Sequence, residues 1–386
     1  MKRNPLFGTL SKKYLFQEMH DRVRLFAEKN PNHQLISLGV GDTTIPLGKT
    51  IAERISQAAI DFQNPQSYVG YGPEQGLKEL REKIAFRVYE NKFSYKEIFI
   101  SDGANSDISR VLCLLSNNPT VAVQNPSYPV YAEASVLQKE AKLIYLEEKG
   151  GIPDLSQIPE QTVIFLCSPN NPTATCFSHG QYEKLIQQAR KKKSLIILDV
   201  AYRAFVRSPF PQSIYEIEGA ERVAIEIGSF SKMAGFSGIR LGWCTVPFAL
   251  QYESGQSFNP DFDRIITTLF NGASILSQYG GLHVLSEQGE QEVNEQIHTY
   301  MKRTEKLKKS LANTSFDVSG GDHAPYVWVK TGHKNSWEAF DYFLHQAALI
   351  VTPGIGFGPG GEGYVRLSGF AHEKHIDEAC KRLSIL

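Results

Sequence analysis

The sequence predicts an α/β protein, with a large domain whose mostly parallel central sheet is covered by helices and a smaller α+β domain beside it. Three observations carry this. From Glu97 onward, short and near-continuous apolar runs such as Leu195 to Leu198 alternate with amphipathic helical stretches, as a sheet buried on both faces requires. After about Gln278 the alternation stops, and a long polar helical stretch from Glu287 to Leu311 leads into mixed strands and helices. The residues with chemistry to offer also fall where the apolar runs end. Asp102 to Asn105 close the first, Tyr128 follows the second, Asn171 the third, Asp199 and Tyr202 the fourth, and Ser229 to Lys232 the fifth. Sheets of this kind bind ligands at the carboxyl ends of their strands. The expected division is 45–277 for the large domain, with 1–44 and 278–386 forming the small one.

In chain order, Tyr14 precedes a polar helical run through Arg24 to Lys29. LISLGVGDTTIPL, 35–47, then sets Gly39 and Gly41 in a turn where backbone can approach a ligand, although a plain interdomain turn reads equally well. IAERISQAAIDF has helical spacing. In YVGYGPEQGLKELR, 68–81, Pro73 suits a helix start with Leu77 and Leu80 facing inward. Tyr71, just ahead of it, can point a phenol at a phosphate or simply pack. The strands expected next are EIFIS, TVAVQ, TVIFLC, SLIILD and RVAIEIGS, with ANSDISRVLCLL and SHGQYEKLIQQARKKK as helices. In the tail, APYVWVK and YVRLS read as strands and NSWEAFDYFLHQAA as a helix. GFGPGG, 356–361, matches the glycine pattern of dinucleotide sites, but a strand follows where a helix should open. It reads as a loop that lets backbone pass near Arg366.

A chain of 386 residues that is 41% hydrophobic can bury a large core. Lys plus Arg and Asp plus Glu each number 41, so no general attraction to nucleic acid or an anionic membrane is expected. No stretch approaches a membrane span or a cleavable leader, and a cytoplasmic location is expected. The five cysteines are scattered, without C-x-x-C pairs or histidines at ligand spacing. Neither a disulfide framework nor a metal site is predicted, and most should be ordinary buried thiols.

The chemistry concentrates in SFSKMAGFSGIRLGW, 229–243. Lys232 stands between the hydroxyls of Ser229 and Ser231, and Arg240 follows after a turn punctuated by Gly235, Gly238 and Gly242. Hydroxyls and a guanidinium suit phosphate oxygens, and the amine suits an aldehyde held beside them. Asp199 ends a buried strand, where a lone carboxylate is costly unless paired with a cation such as a protonated pyridine nitrogen; a helix N-cap is the other reading. Ala104 and Asn105 offer backbone N–H groups at a helix start, a favourable place for an anion. Arg366, on a strand beside the glycine loop, can fork onto a carboxylate or lie in a surface salt bridge.

This segment resembles the cofactor-lysine segment of the class I/II, fold-type-I aminotransferases, which use pyridoxal 5'-phosphate. The resemblance implies that Lys232 carries the cofactor and moves the substrate proton, and that Asp199 pairs with the ring nitrogen. By the same likeness, Tyr202 and Asn171 bond the cofactor's phenolic oxygen and Tyr128 stacks on the ring. Ala104, Asn105, Ser229, Ser231 and Arg240 would hold the phosphate, together with Tyr71 of a neighbouring subunit. Further motifs, KRNPLFGTLSKKYLF, LGVGDTT, YVGYGPEQGLKELR, EIFISDGA, NPSYPVY, SPNNPT, FNGAS and PGIGFG, are similar to those of the LL-diaminopimelate aminotransferases over nearly the whole chain. Those are cytoplasmic homodimers that make LL-diaminopimelate from tetrahydrodipicolinate and glutamate, for lysine and cell-wall precursors. The likeness implies substrate contacts from Tyr14, Gly41, Glu74, Asn105, Tyr128, Asn171 and Arg366. Asn271 would reach across the dimer to cofactor and substrate. Two positions depart from the pattern: Asn105 stands where the family has a substrate-binding lysine, and Ala174 where it has a turn glycine. Transamination of aspartate or aromatic amino acids, β-elimination or decarboxylation on the same cofactor, and a noncatalytic ligand-sensing module remain as other readings.

Overall fold

In the computed structural model, which describes residues 1–8, 15–39, 41–149 and 152–386, the five apolar runs become strands of one sheet. In chain order the seven strands are β1 Ile98–Ser101, β2 Thr120–Gln124, β3 Lys142–Leu146, β4 Val163–Cys167, β5 Leu195–Asp199, β6 Ala224–Ser229 and β7 Gly242–Thr245. Their spatial order is β1-β7-β6-β5-β4-β2-β3. The neighbours from β6 through β3 pair in parallel, while β7 runs antiparallel to both β1 and β6. The interior of β4 and β5 is buried throughout, which is why their side chains read as unbroken apolar runs.

Helices cover both faces. His179–Lys191 opens on a capping box in which Ser178 and Gln181 satisfy each other's backbone donors. Ala104–Leu112 leaves the carboxyl end of β1, capped by Gly103 without a side-chain bond. The helix expected to open at Pro73 starts later, at Lys78. Pro73 instead begins a turn closed by the Gly76 N–H on its carbonyl, and Gly76 (φ +99°) and extended Leu77 must be passed before helical geometry can begin.

A second sheet has four antiparallel strands in the order Asp317–Gly320, Tyr326–Lys330, Tyr364–Ser368, Thr352–Pro353. It packs with the Leu15–Lys29 and Ser336–Ala347 helices around a core that includes Met19, Phe26, Leu38, Leu307, Phe340, Phe343 and Leu367. Leu282, Val284, Leu285 and Val293 pack instead with the main sheet's core. The 24-residue helix Glu287–Ser310 therefore contributes its start to one core, and Leu307 near its end to the other.

Among the described residues no helix is long and apolar enough to cross a membrane, and no cluster of His, Cys, Asp or Glu is placed to hold a metal. All five cysteines are free. Only Cys167 and Cys244 are fully buried, fewer than composition suggested, and Cys113 is exposed because it caps the end of a surface helix.

Candidate active site

The carboxyl ends of β1, β2, β4, β5 and β6 open into a cavity of about 330 Å³ between the two sheets. Gly41, Ala104, Asn105 and Tyr128 line it. So do Asn171, Asp199, Tyr202 and Arg366, and Ser229, Ser231, Lys232 and Arg240 complete it. Twelve of the positions expected from the sequence thus converge. Tyr71, Glu74 and Asn271 do not reach this cavity. Tyr71 and Asn271 are exposed, and Glu74 accepts a bond from Thr267 Oγ1 at 3.2 Å. The three lie near one another on the surface, where Gly272 packs against the Pro73–Glu74 backbone. Tyr14 lies outside the described residues.

Lys232 sits on the short Phe230–Met233 helix that follows β6, capped by Ser229 Oγ accepting the Ser231 N–H. Its Nζ donates to the Gly41 carbonyl at 2.6 Å and lies 3.6 Å from Asp42 Oδ1. Burial pulls the Lys232 pKa down. Asp42 opposes that shift, while Arg366 and Arg240 add to it, and the net direction is downward. Burial alone would raise Asp42, yet the Ser237 hydroxyl and the Lys232 ammonium hold it below the usual carboxylate range. Of the three glycines expected to shape the turn, only Gly235 is left-handed (φ +73°). The other left-handed residue is Arg240 itself (φ +66°), which aims its guanidinium at the turn after β1.

Asp199 ends β5 and is nearly sealed, 6% exposed. Its Oδ1 accepts the Ala201 N–H at 2.9 Å and its Oδ2 the Tyr131 hydroxyl at 2.8 Å. Burial raises its pKa, and those two bonds pull it partly back. No ammonium or guanidinium pairs with it among the described residues, so the carboxylate faces the cavity wanting a cation.

Arg366 is 4% exposed. One Nη donates to Asn171 Oδ1 at 2.6 Å and the other to the Gly39 carbonyl at 2.8 Å, while Nε has no partner. The guanidinium lies over the rings of Tyr326 (4.3 Å) and Phe357 (4.9 Å). Phe357 comes from the glycine loop, which forms short 3-10 turns rather than a dinucleotide site. Asn171 was expected to contact both cofactor and substrate. It spends its oxygen on Arg366, which leaves its Nδ2 as a donor. Tyr202 shares a 2.7 Å hydrogen bond with Tyr326, and burial raises both phenols, so they stay protonated.

Asp42, Tyr131 and Tyr326 belong to this site and escaped the sequence. Tyr131 carried a faint signal, lying in the first turn of the helix that opens just after Tyr128. Tyr326 had none, since its place beside Arg366 depends on the pairing of Trp328 with Arg366. At Gly41 an added Cβ would lie 2.7 Å from the Tyr326 hydroxyl, so the phenol needs a residue without a side chain there.

The arrangement offers uncapped N–H groups and Arg240 to an anion, a buried carboxylate to a cation, a desolvated amine to a carbonyl, and a buried guanidinium to a carboxylate. That set fits a phosphorylated pyridine aldehyde together with an amino acid. Comparison with known proteins agrees with this class of site. The chain belongs to the aminotransferase class I and II family, whose model matches residues 33–383, and that family depends on pyridoxal phosphate. It is 43% identical to an LL-diaminopimelate aminotransferase of Protochlamydia amoebophila, over 99% of this chain and 97% of that protein. It is 42% identical to a chloroplastic LL-diaminopimelate aminotransferase of Arabidopsis thaliana, over 100% of this chain and 87% of that one. The solved L,L-diaminopimelate aminotransferase of Chlamydomonas reinhardtii superposes with a TM-score of 0.93 at 43% identity, covering 99% and 98% of the two chains. The α/β fold expected from the apolar runs is the fold these relatives share.

Proposed function

We propose that this chain is an LL-diaminopimelate aminotransferase that binds pyridoxal phosphate at the cavity and exchanges an amino group between LL-diaminopimelate and 2-oxoglutarate. The observation that carries the reading is the buried Lys232 amine, 2.6 Å from the Gly41 carbonyl, in one cavity with Asp199 and Arg366. When bound, the cofactor supplies an electron sink for the bond to the substrate's α-carbon. Ala104 and Asn105 N–H groups, Arg240, Ser229 and Ser231 would hold its phosphate, Asp199 its ring nitrogen, and Asn171 and Tyr202 its phenolic oxygen, with Tyr128 against the ring.

Lys232 is the base. Desolvation makes its neutral form accessible, and in that form Nζ can take the proton from the substrate Cα. Arg366 binds the α-carboxylate: its ring sandwich and two fixed acceptors hold the plane of the fork. Asn105, whose Oδ1 lies 3.4 Å from the Tyr128 hydroxyl, gives the far end of the substrate a polar but uncharged contact.

We further propose a homodimer in which Tyr71, Glu74 and Asn271 of each copy complete the other's site, which the exposure of Tyr71 and Asn271 outside the cavity supports. The two cores support two domains bridged by the Glu287–Ser310 helix, and a cytoplasmic location accords with a small-molecule biosynthetic enzyme. The test is a spectral titration of the cofactor-loaded protein with amino donors. LL-diaminopimelate should convert the visible cofactor band to an ultraviolet one, restored by 2-oxoglutarate, and Lys232→Ala should abolish the exchange. Equal or faster conversion by aspartate or phenylalanine would sink the substrate assignment.

A further inference from the structure

The turn after β1 carries more buried polar chemistry than holding an anion requires. Gly103 (φ +120°) caps the Ala104–Leu112 helix and leaves the first N–H groups open. A Cβ on Gly103 would lie 2.7 Å from Arg240 Nη2, so the glycine also makes room for that guanidinium. Behind the turn, in the first turn of the same helix, Asp107 has no exposed surface. It accepts a short bond from Ser101 Oγ, and Ser101 Oγ accepts the Gly103 N–H at 3.2 Å. Its other oxygen lies 3.4 Å from Arg110 Nη1, which also sits 2.8 Å from Asp102 Oδ1. The Arg110 guanidinium is stacked 3.7 Å over Phe270.

A carboxyl group buried behind a cradle for a dianion is electrostatically costly, because any negative charge there weakens the anion's hold. Its contribution has to be geometric. The chain from carboxylate to hydroxyl to amide fixes the Gly103 peptide, and with it the direction of the Ala104 and Asn105 N–H groups. Arg110, pinned by two carboxylates and an aromatic face, keeps the carboxylate from rotating away.

We infer that Ser101 and Asp107 are positioning residues for the cofactor's phosphate: they touch none of it and act by fixing the Gly103 turn. The inference rests on the cofactor reading above and separates from it in the laboratory. Cofactor-free protein is titrated with pyridoxal phosphate and with pyridoxal, which lacks the phosphate. In wild type the phosphorylated form should bind far more tightly. Asp107→Ala, which removes the acceptor for the Ser101 hydroxyl, should weaken pyridoxal phosphate about tenfold while changing pyridoxal less than about twofold. Ser101→Ala, a smaller change that spares the buried carboxyl, should shift the ratio in the same direction and decides the matter if the first variant does not fold. Folded variants that bind both compounds as wild type does, or lose both equally, overturn the inference. A wild type without preference for the phosphorylated compound overturns the cofactor reading itself.

Discussion

At the residue scale, Ala174 shows what one departure from the family pattern does. It stands after Asn170-Asn171-Pro172-Thr173 with φ +56°, a conformation in which a Cβ crowds the following carbonyl. The position is buried beside Tyr202 and Phe205, so the loop cannot relax into a freer conformation. Strain of about 1–2 kcal/mol is expected there, against which glycine would add less than about 1 kcal/mol of unfolded-chain freedom. Ala174→Gly should therefore raise the midpoint of urea unfolding, by a stability gain of about 0.5–1 kcal/mol with unchanged slope. A lowered midpoint would show that the methyl group's packing outweighs the backbone strain.

At the scale of elements, the strands buried along their length were legible because burial on both faces leaves an apolar run that needs no partner to be recognised. The parallel edge strand β3, buried only at Leu146, was not read. Nor was β7, whose first two residues, Gly242 and Trp243, lie in the segment read for its cofactor chemistry. The site divides the same way. Lys232 and Asp199 sit in a dense motif and at the end of a readable strand, and Arg366 within one, whereas Tyr131, Tyr326 and Asp42 acquire meaning only from partners 68, 124 and roughly 190 residues away in the chain. Glu226 belongs with the second group. A carboxylate in the middle of β6, it accepts Tyr89 Oη at 2.9 Å, Ser213 Oγ at 2.7 Å and the Ile214 N–H at 3.1 Å. Tyr89 Oη in turn accepts Trp243 Nε1 and Thr245 Oγ1 of β7. One side chain thus ties the Lys78–Tyr89 helix, the loop before β6 and β7 together. Glu226→Ala should leave three buried donors unpaired and lower stability by on the order of 3 kcal/mol in urea unfolding, more than Glu226→Gln, which keeps one oxygen. Equal small losses for both would mean that water replaces the carboxylate.

Across the whole molecule, the buried carboxyls Asp107, Asp199 and Glu226 set how stability follows pH. Burial is the main cause in each and pushes all three upward, Asp107 to about 7. A carboxyl raised in this way holds its proton more tightly folded than unfolded. Its stabilising effect is complete at acid pH, below the unfolded value, and is lost as pH rises through the folded value, at about 1.4 kcal/mol per pH unit while it titrates. For Asp107 that loss runs from the ordinary aspartate range up to about 7. Asp42, held low, acts only on the acid side, and Lys232, pulled down by burial, adds stability as pH rises from its lowered folded value to the ordinary lysine value. His323 and His375, lowered chiefly by burial, add some as pH rises toward the ordinary imidazole value, a smaller opposing effect at two partly exposed groups. The cofactor-free protein should therefore unfold at lower urea as pH rises from about 5.5 to 7.5, and Asp107→Asn should flatten that decline. Loading pyridoxal phosphate should flatten it further, because a positive ring nitrogen beside Asp199 brings that carboxyl back down and removes its share. Urea midpoints across this range for the cofactor-free, cofactor-loaded and Asp107→Asn forms make the check; a midpoint that rises with pH in the cofactor-free protein would mean that these carboxyls are not the groups in control.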